Sequence, residues 1–337
     1  MTRKVVHLID DTAPGGVMQM LRHMAEGPAI GRDHSHEIRR IRRGALVAPR
    51  LEADVIVSHL TVTWMNVPLL TGLRALNPDV PMVHVEHSYT ESFVAMHAVP
   101  RQRFATLMRV SYAMFDRIVA VSAPQAAWIR RRGFAPAERL VTINPSVDLS
   151  PFLALAPRLE GAPKVWCLIG RLDAQKGFDV AIRAFRAAAG DDESLMIFGE
   201  GPERDRLEAL AEGDARIRFV GWADSPAEAV AACDAVLMPS RREAFGLVAL
   251  EAQAAGRLLV VSGVDGLAEH QRHGAIAVGA NSVDAWAETL RRLRHGGEAE
   301  RILQGRQRAR RAARAFQAAW LELLDDLAAP VGFANAA

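Results

Sequence analysis

The amino-acid sequence predicts an α/β protein made of two successive doubly wound domains. Three observations lead there. Short β-rich apolar runs alternate with longer segments of helical period, the pattern of parallel strands joined by helical crossovers. The alternation stops in a stretch holding four prolines and then starts afresh. The 337 residues suffice for about two domains of ~150 residues each.

In the first set, Val5–Ile9, Asp54–Ser58, Pro81–Glu86 and Arg117–Ser122 read as strands. Val17–Met24, Trp64–Leu76, Arg103–Phe115 and Pro124–Arg132 read as helices. The break falls in Asn144–Pro163, which carries Pro145, Pro151, Pro157 and Pro163 and no periodic pattern. In the second set the strands are Lys164–Ile169, Ser194–Phe198, Ile217–Val220, Ala235–Met238 and Arg257–Val261. The helices are Phe178–Ala188, Glu203–Glu212, Pro226–Ala232 and Leu247–Ala255. After Asn281 the pattern is helical to about Ala328, and Phe316, Trp320, Leu323, Leu324 and Leu327 share one stripe that must dock on something. The tail beyond Pro330 reads as disordered.

Composition narrows the function classes. Hydrophobic residues at 50% and charged residues at 24% are ordinary for a soluble globular chain and exclude a long disordered one. Cys167 and Cys233 have no CxxC spacing, which excludes a disulfide scaffold and reads as a pair of reduced, packed thiols. No apolar run approaches the ~20 residues that span a bilayer. The opening MTRKVVHLIDD is too short for a secretory apolar region, so a cytoplasmic protein is expected. The net charge of +2 hides an asymmetry: residues 1–150 hold 18 Lys/Arg against 13 Asp/Glu, leaving 23 against 26 for the rest. A basic half joined to an acidic half fits two domains with different partners, or a merely solvated surface.

In open parallel sheets, ligands sit outside the carboxyl ends of the strands. There is no G-x-x-x-x-G-K-[ST], which argues against a P-loop NTPase, and Gly199-Glu-Gly201-Pro202 lacks the third glycine of a dinucleotide fingerprint. D-x-D and HExxH are absent, and His84, Glu86 and His87 form a cluster without the distant partner zinc would need. Three loops carry more. Gly15-Gly16 opens a helix after the first strand, where backbone can approach an anion. Gly170–Gly177 places Arg171 and Lys176 on a loop into a helix, cations that suit a diphosphate or merely face solvent. Pro239–Ala252 places Glu243 before a helix, Glu251 inside its apolar run, and free backbone amides at Phe245–Val248.

These residues carry a resemblance. The chain resembles the retaining glycosyltransferases of family 4, which have the GT-B fold. G-R-L-x-x-x-K-G is matched at Gly170–Gly177, and P-S-x-x-E-x-F-G-L-V-x-L-E-A at Pro239–Ala252. G-x-G-P is matched at Gly199–Pro202, G-x-x-E at Gly266–Glu269, the amino-terminal double glycine at Gly15-Gly16, and the histidine after the fourth-strand region at His87. Asn144-Pro145-Ser146-Val147-Asp148 stands where the family has N-G-V-D, and His270–Gly279 lacks the usual N-G-L-L-V.

The resemblance implies residues 1–150 as a Rossmann-like acceptor-side domain, 151–315 as a Rossmann-like nucleotide-sugar-binding domain, and 316–329 as a helix returning to the first. It implies a UDP- or GDP-sugar donor bound between the domains, no metal or other cofactor, and an envelope or exopolysaccharide glycan acceptor, lipid-linked or not. Arg171 and Lys176 would hold the diphosphate, with Gly170 and Gly201 letting backbone approach it. Glu251 would bind the ribose hydroxyls and Glu243 the donor sugar. Phe245, Gly246, Leu247 and Val248 would add amides, Gly16 would admit the phosphate, and His87 would bond the sugar near the reaction centre. His87 as a structural histidine stays open. A nucleotide-sugar epimerase and a non-catalytic nucleotide-sugar-binding protein are the competing readings; nucleic acid is not an expected partner. Two arginine clusters, Arg39, Arg40, Arg42 and Arg43 with Arg130–Arg132, beside Phe93, Met96, Phe104 and Met108 read as exposed, suggest peripheral contact with anionic lipid. Trp64, Trp128 and Trp166 read as core residues.

Overall fold

The computed structural model describes residues 2–11, 15–26, 33–97 and 100–328. The chain divides into two compact units: Met1–Tyr89 with His97–Val147 and Arg314–Ala337, and Thr90–Met96 with Asp148–Ala313. Elements run in the order β1 (Arg3–Ile9), α1 (Gly16–Glu26), β2 (His34–Arg40), β3 (Val55–Ser58), α2 (Val67–Leu76), β4 (Met82–Glu86), α3 (Glu91–Met96), α4 (Arg101–Tyr112), β5 (Arg117–Ala120), α5 (Ala123–Arg131) and β6 (Leu140–Thr142). They continue as α6 (Ser150–Leu153), β7 (Val165–Ile169), α7 (Phe178–Ala188), β8 (Ser194–Phe198), α8 (Arg204–Ala211), β9 (Ile217–Gly221), α9 (Pro226–Ala231) and β10 (Ala235–Met238). The last are α10 (Leu247–Ala254), β11 (Leu258–Ser262), α11 (Leu267–Gln271), β12 (Ile276–Val278), α12 (Val283–Leu293) and α13 (Ala299–Ala328).

Each unit holds one six-stranded sheet, in the orders β2-β1-β3-β4-β5-β6 and β12-β11-β10-β7-β8-β9. Every pairing is parallel. The winding reverses between β1 and β3 in one sheet and between β7 and β10 in the other. Those reversals are the switch points where an α/β sheet opens a crevice for ligands. The central strands β3, β4, β10 and β11 are buried throughout, as β-branched runs covered on both faces must be. Local chemistry sets the helix starts. Ser122 and Ser225 accept hydrogen bonds from Gln125 and Glu228 amides, each followed by an early proline whose missing N–H costs nothing there.

The expected terminal helix is present, and Phe316, Trp320, Leu323 and Leu324 of its stripe are buried. They fall in the part of α13 that belongs to the first unit, where the His23 ring stacks on Phe316 at 6.1 Å. The helical stretch after Asn281 is two helices, separated by Gly296 and Gly297 at φ of 69° and 92°. The expectation for the tail beyond Pro330 lies outside the described residues.

Several expectations are corrected. Cys167, in β7, and Cys233, just before β10, are packed as expected, but they form a disulfide with Cα atoms 5.8 Å apart. Their 66-residue separation carries no local signal; parallel pairing of β7 with β10 creates the proximity. Trp64 is partly exposed, whereas Trp128 and Trp166 are core residues. Phe104 and Met108 are buried rather than exposed, because the inner face of α4 turns them into the first unit. Of the apolar residues expected in that patch, only Met96 is exposed, with Phe93 half-buried. The arginines of that patch are partly neutralised too, Arg39 by Glu37 at 2.5 Å and Arg43 by Asp10 at 3.5 Å. Among the described residues, no helix is long and apolar enough to cross a membrane.

Candidate active site

The second switch point is built from two loops pressed together by glycines. After β7 the chain turns through Gly170 at φ +143° and Gly177 at φ +66°. A Cβ on Gly177 would overlap the Pro239 carbonyl oxygen of the loop after β10. A Cβ on Gly199 would overlap the Gly170 oxygen, and one on Gly201 the Leu172 oxygen. The Leu172 amide donates to Glu200 O at 2.9 Å, and the Glu203 amide to Leu172 O at 3.0 Å. Gly201 thus owes its identity to the packing of one loop on the next.

This contact brings two of the sequence candidates together. Asp173 caps the turn Ala174–Lys176 by accepting from the Lys176 amide at 3.3 Å. Lys176 Nζ then lies 2.7 Å from Glu243 Oε2, both side chains four-fifths or more buried. An ion pair so placed is weakly screened, and each partner fixes the other. Arg171 is not part of this pair; its side chain is largely exposed and bonds Asp173 at 2.7 Å. Glu243 is held by its backbone, the amide donating to Asp265 Oδ2 at 3.3 Å and the carbonyl accepting from Gly266 at 2.9 Å.

Gly246, at φ +92°, starts α10 without a side-chain cap. A Cβ on it would lie 2.8 Å from Leu267 Cδ2, so glycine is required twice over. The first bonded amides of the helix are those of Ala249 and Leu250, so Leu247 and Val248 present their N–H groups beyond its end. One turn inward, Glu251 is 3% exposed, and no protein group among the described residues bonds its carboxylate. Burial pushes that carboxyl up to about 7.

A supporting layer escaped the sequence reading. His270 is fully buried, and its Nε2 lies 3.0 Å from the Phe245 carbonyl oxygen. Arg308, from α13, donates to His270 Nδ1 at 3.1 Å and stacks its guanidinium 5.6 Å over the Phe245 ring. Burial and the Arg308 charge hold His270 down to about 3, so the imidazole is neutral, with Nε2 as donor. Arg241 grips Asp179 with two bonds of 2.9 and 2.8 Å and so anchors the loop after β10 to α7. Asp265 sits at φ +43°, rare for a residue with a Cβ, and its Oδ1 accepts from the Ser92 amide at 3.1 Å. Its place in V-D-G-L just before the G-x-x-E segment was the one signal available.

The remaining candidates lie in the first unit. Gly15 and Gly16 are exposed at the start of α1; residues 12–14 of that loop lie outside the described residues. His87 follows β4, half-buried, with Nε2 2.9 Å from His59 Nδ1. Burial holds it down to about 4, against the opposing pull of the Glu86 carboxylate. Glu86 is occupied by the Ser88 and Tyr89 amides and the Tyr112 hydroxyl at 2.7, 2.9 and 2.8 Å. Among the described residues, no three His, Cys, Asp or Glu side chains gather as a metal site.

Two doubly wound parallel units with these loops have the architecture of the GT-B glycosyltransferases, enzymes of the transferase class. Known proteins agree. Residues 6–151 match the profile described as Glycosyltransferase Family 4, and residues 163–295 the one described as Glycosyl transferases group 1. The D-inositol 3-phosphate glycosyltransferase of Salinispora tropica is 30% identical over 334 residues, covering 86% of this chain and 68% of that protein. Sucrose-phosphate synthase from Thermosynechococcus elongatus has a similar fold, with a TM-score of 0.77 at 20% identity, over 97% of this chain and 100% of that one. HepE from Anabaena, crystallised with UDP and glucose, has a TM-score of 0.73 at 16% identity, over 96% and 100%. The chain belongs to glycosyltransferase family 4.

Proposed function

We propose that this glycosyltransferase is retaining and metal-independent, and moves a sugar from a UDP- or GDP-linked donor to an envelope or exopolysaccharide glycan. The observation that carries the reading is the buried Lys176–Glu243 pair beside the open N-terminus of α10, with Glu251 unpaired one turn behind. A cation and free amides at one switch point suit a diphosphate, whose charge rises as the glycosidic bond breaks. Groups fixed in advance at that place stabilise the transition state without rearranging. Lys176 would meet the departing phosphate, with Arg171 swinging in from its exposed position. Glu251 would accept from ribose hydroxyls, and Glu243, held by Lys176, would meet the donor sugar. UDP and glucose in HepE support a nucleotide-sugar donor. The relatives named for D-inositol 3-phosphate favour a second acceptor, a small phosphorylated polyol.

The test is incubation with UDP- and GDP-sugars, an oligosaccharide acceptor and inositol phosphate, with and without EDTA, followed by NMR. Expected are free nucleotide and a glycoside of unchanged anomeric configuration, insensitive to EDTA. An inverted product, or strict dependence on Mg²⁺ or Mn²⁺, would overturn the mechanism. An epimerised donor would make the protein an epimerase, and an unchanged donor a binding protein.

A further inference from the structure

Four histidines of the first unit stand in a file across four adjacent strands. His36 is in β2, His7 in β1, His59 follows β3 and His87 follows β4, matching the sheet order β2-β1-β3-β4. His36 is paired across from Val5, two residues before His7, so both rings lie on one face of the sheet. His36 Nδ1 lies 2.9 Å from His7 Nε2, His7 Nδ1 3.1 Å from His59 Nε2, and His59 Nδ1 2.9 Å from His87 Nε2. Successive rings stack, with centroids 5.2 to 5.3 Å apart.

A neutral imidazole has one N–H and one bare nitrogen. Burial holds His7 down to about 3 and both His36 and His87 to about 4, and it lowers His59 well below its usual value. The other titratable groups near the file are His34 beside His36, and His84 and Glu86 beside His59 and His87. Each nitrogen-to-nitrogen gap must hold one proton, since two would repel and none would leave lone pairs facing. The four rings therefore share one sense. Either all are Nδ1–H tautomers, or all are Nε2–H tautomers. The far end decides. His36 Nε2 is buried with no hydrogen-bond partner among the described residues. In the second state it would be a buried N–H without an acceptor, the rarer and costlier defect; in the first it is a bare lone pair.

We propose that the file is a tautomer lock, which makes His87 a neutral Nδ1–H donor toward a sugar hydroxyl oxygen at the carboxyl end of β4. His7, His36 and His59 are its positioning residues. The ligand half of this statement rests on the sugar-transfer reading; the tautomer half does not. No proton leaves the file, and the number of N–H bonds is unchanged in either state.

The experiment is two-bond ¹H–¹⁵N correlation of ring nitrogens in the full-length protein at pH 7, without ligand, beside a transfer assay. All four rings should show the Nδ1–H pattern. An Nε2–H or doubly protonated ring among them would overturn the lock. In His36→Asn the side-chain amide can either donate to or accept from His7 Nε2, so the end bias is gone and the three remaining rings should populate both tautomers. The rate of transfer per bound donor should fall about two- to tenfold, the weight of one net hydrogen bond. A uniform Nδ1–H spectrum in that variant would overturn the role of His36, and if it fails to fold, the wild-type spectrum still decides. Four Nδ1–H rings with no transfer from any nucleotide sugar would sink the functional reading and leave the tautomer assignment standing.

Discussion

Lys176 and Glu251 carry opposite lessons about charge in a closed space. Lys176 has its counter-ion, and its proposed task is to meet charge that appears only as the donor breaks. Lys176→Ala should therefore lower kcat by about 10²–10³, the cost of one such donor, with a much smaller change in donor affinity. Equal losses in both, measured by steady-state kinetics and calorimetry, would remove it from the transition state. Glu251 has no counter-ion, and burial raises its carboxyl from 4.5 to about 7. The native state then keeps a proton that the unfolded chain gives up. Its stabilising effect is full below pH 4.5 and is lost as pH rises through about 7. Between pH 4.5 and 8 the wild type should lose up to about 3 kcal/mol relative to Glu251→Gln, at ~1.4 kcal/mol per unit. Parallel urea-unfolding curves for the two proteins would show the raised value to be wrong. Both residues were legible in the sequence because loop and helix type follow from their neighbours. The Lys176–Glu243 bond was not, since it depends on how two loops 67 residues apart meet. Nor was the His270–Arg308 support, which joins two helices with no shared pattern.

At the scale of elements, the central strands were readable because both faces are buried and the apolar run is continuous. The edge strand β2, His-Ser-His-Glu-Ile-Arg-Arg, was not read, because an edge strand carries polar and charged side chains. Short β6 and β12 and one-turn α6 fall below the length at which a period can be recognised. Gly201 was read as room for a ligand; a Cβ there, as at Gly177 and Gly199, would overlap the backbone of the neighbouring loop. A pair of substitutions separates the two effects. Gly213, at φ +70°, has nothing within 4 Å of a built Cβ, so Gly213→Ala should cost only the left-handed penalty of about 1–2 kcal/mol. Gly177→Ala adds a backbone overlap and should cost visibly more, with loss of transfer as the Lys176 loop shifts. Equal drops in Tm would mean that the two loops are not interlocked.

For the molecule as a whole, α13 contributes to both units, and its apolar stripe was legible from spacing alone. Which surface it covers was not, because helical period reports a face and never its partner. Trp320 is 1% exposed within the first unit. Trp320→Ala should cost about 3–5 kcal/mol, as large buried aromatics do, and it should lower the unfolding transition of that unit in a calorimetric scan. An unshifted scan would mean that the stripe is not part of the core.

If ribose hydroxyls meet Glu251 as proposed, its unpaired carboxyl makes nucleotide binding a proton-exchange reaction. At pH 7 the side chain carries about half a proton, given its raised value. Hydroxyls that donate to it favour the charged form and expel that fraction into the buffer. The heat of nucleotide binding should then change with the ionisation enthalpy of the buffer, with a slope of about one-half in magnitude. In Glu251→Gln the slope should vanish. Affinity for the nucleotide would accordingly strengthen as the medium turns alkaline through neutrality, so the cell's own pH becomes a term in how fully the enzyme is loaded.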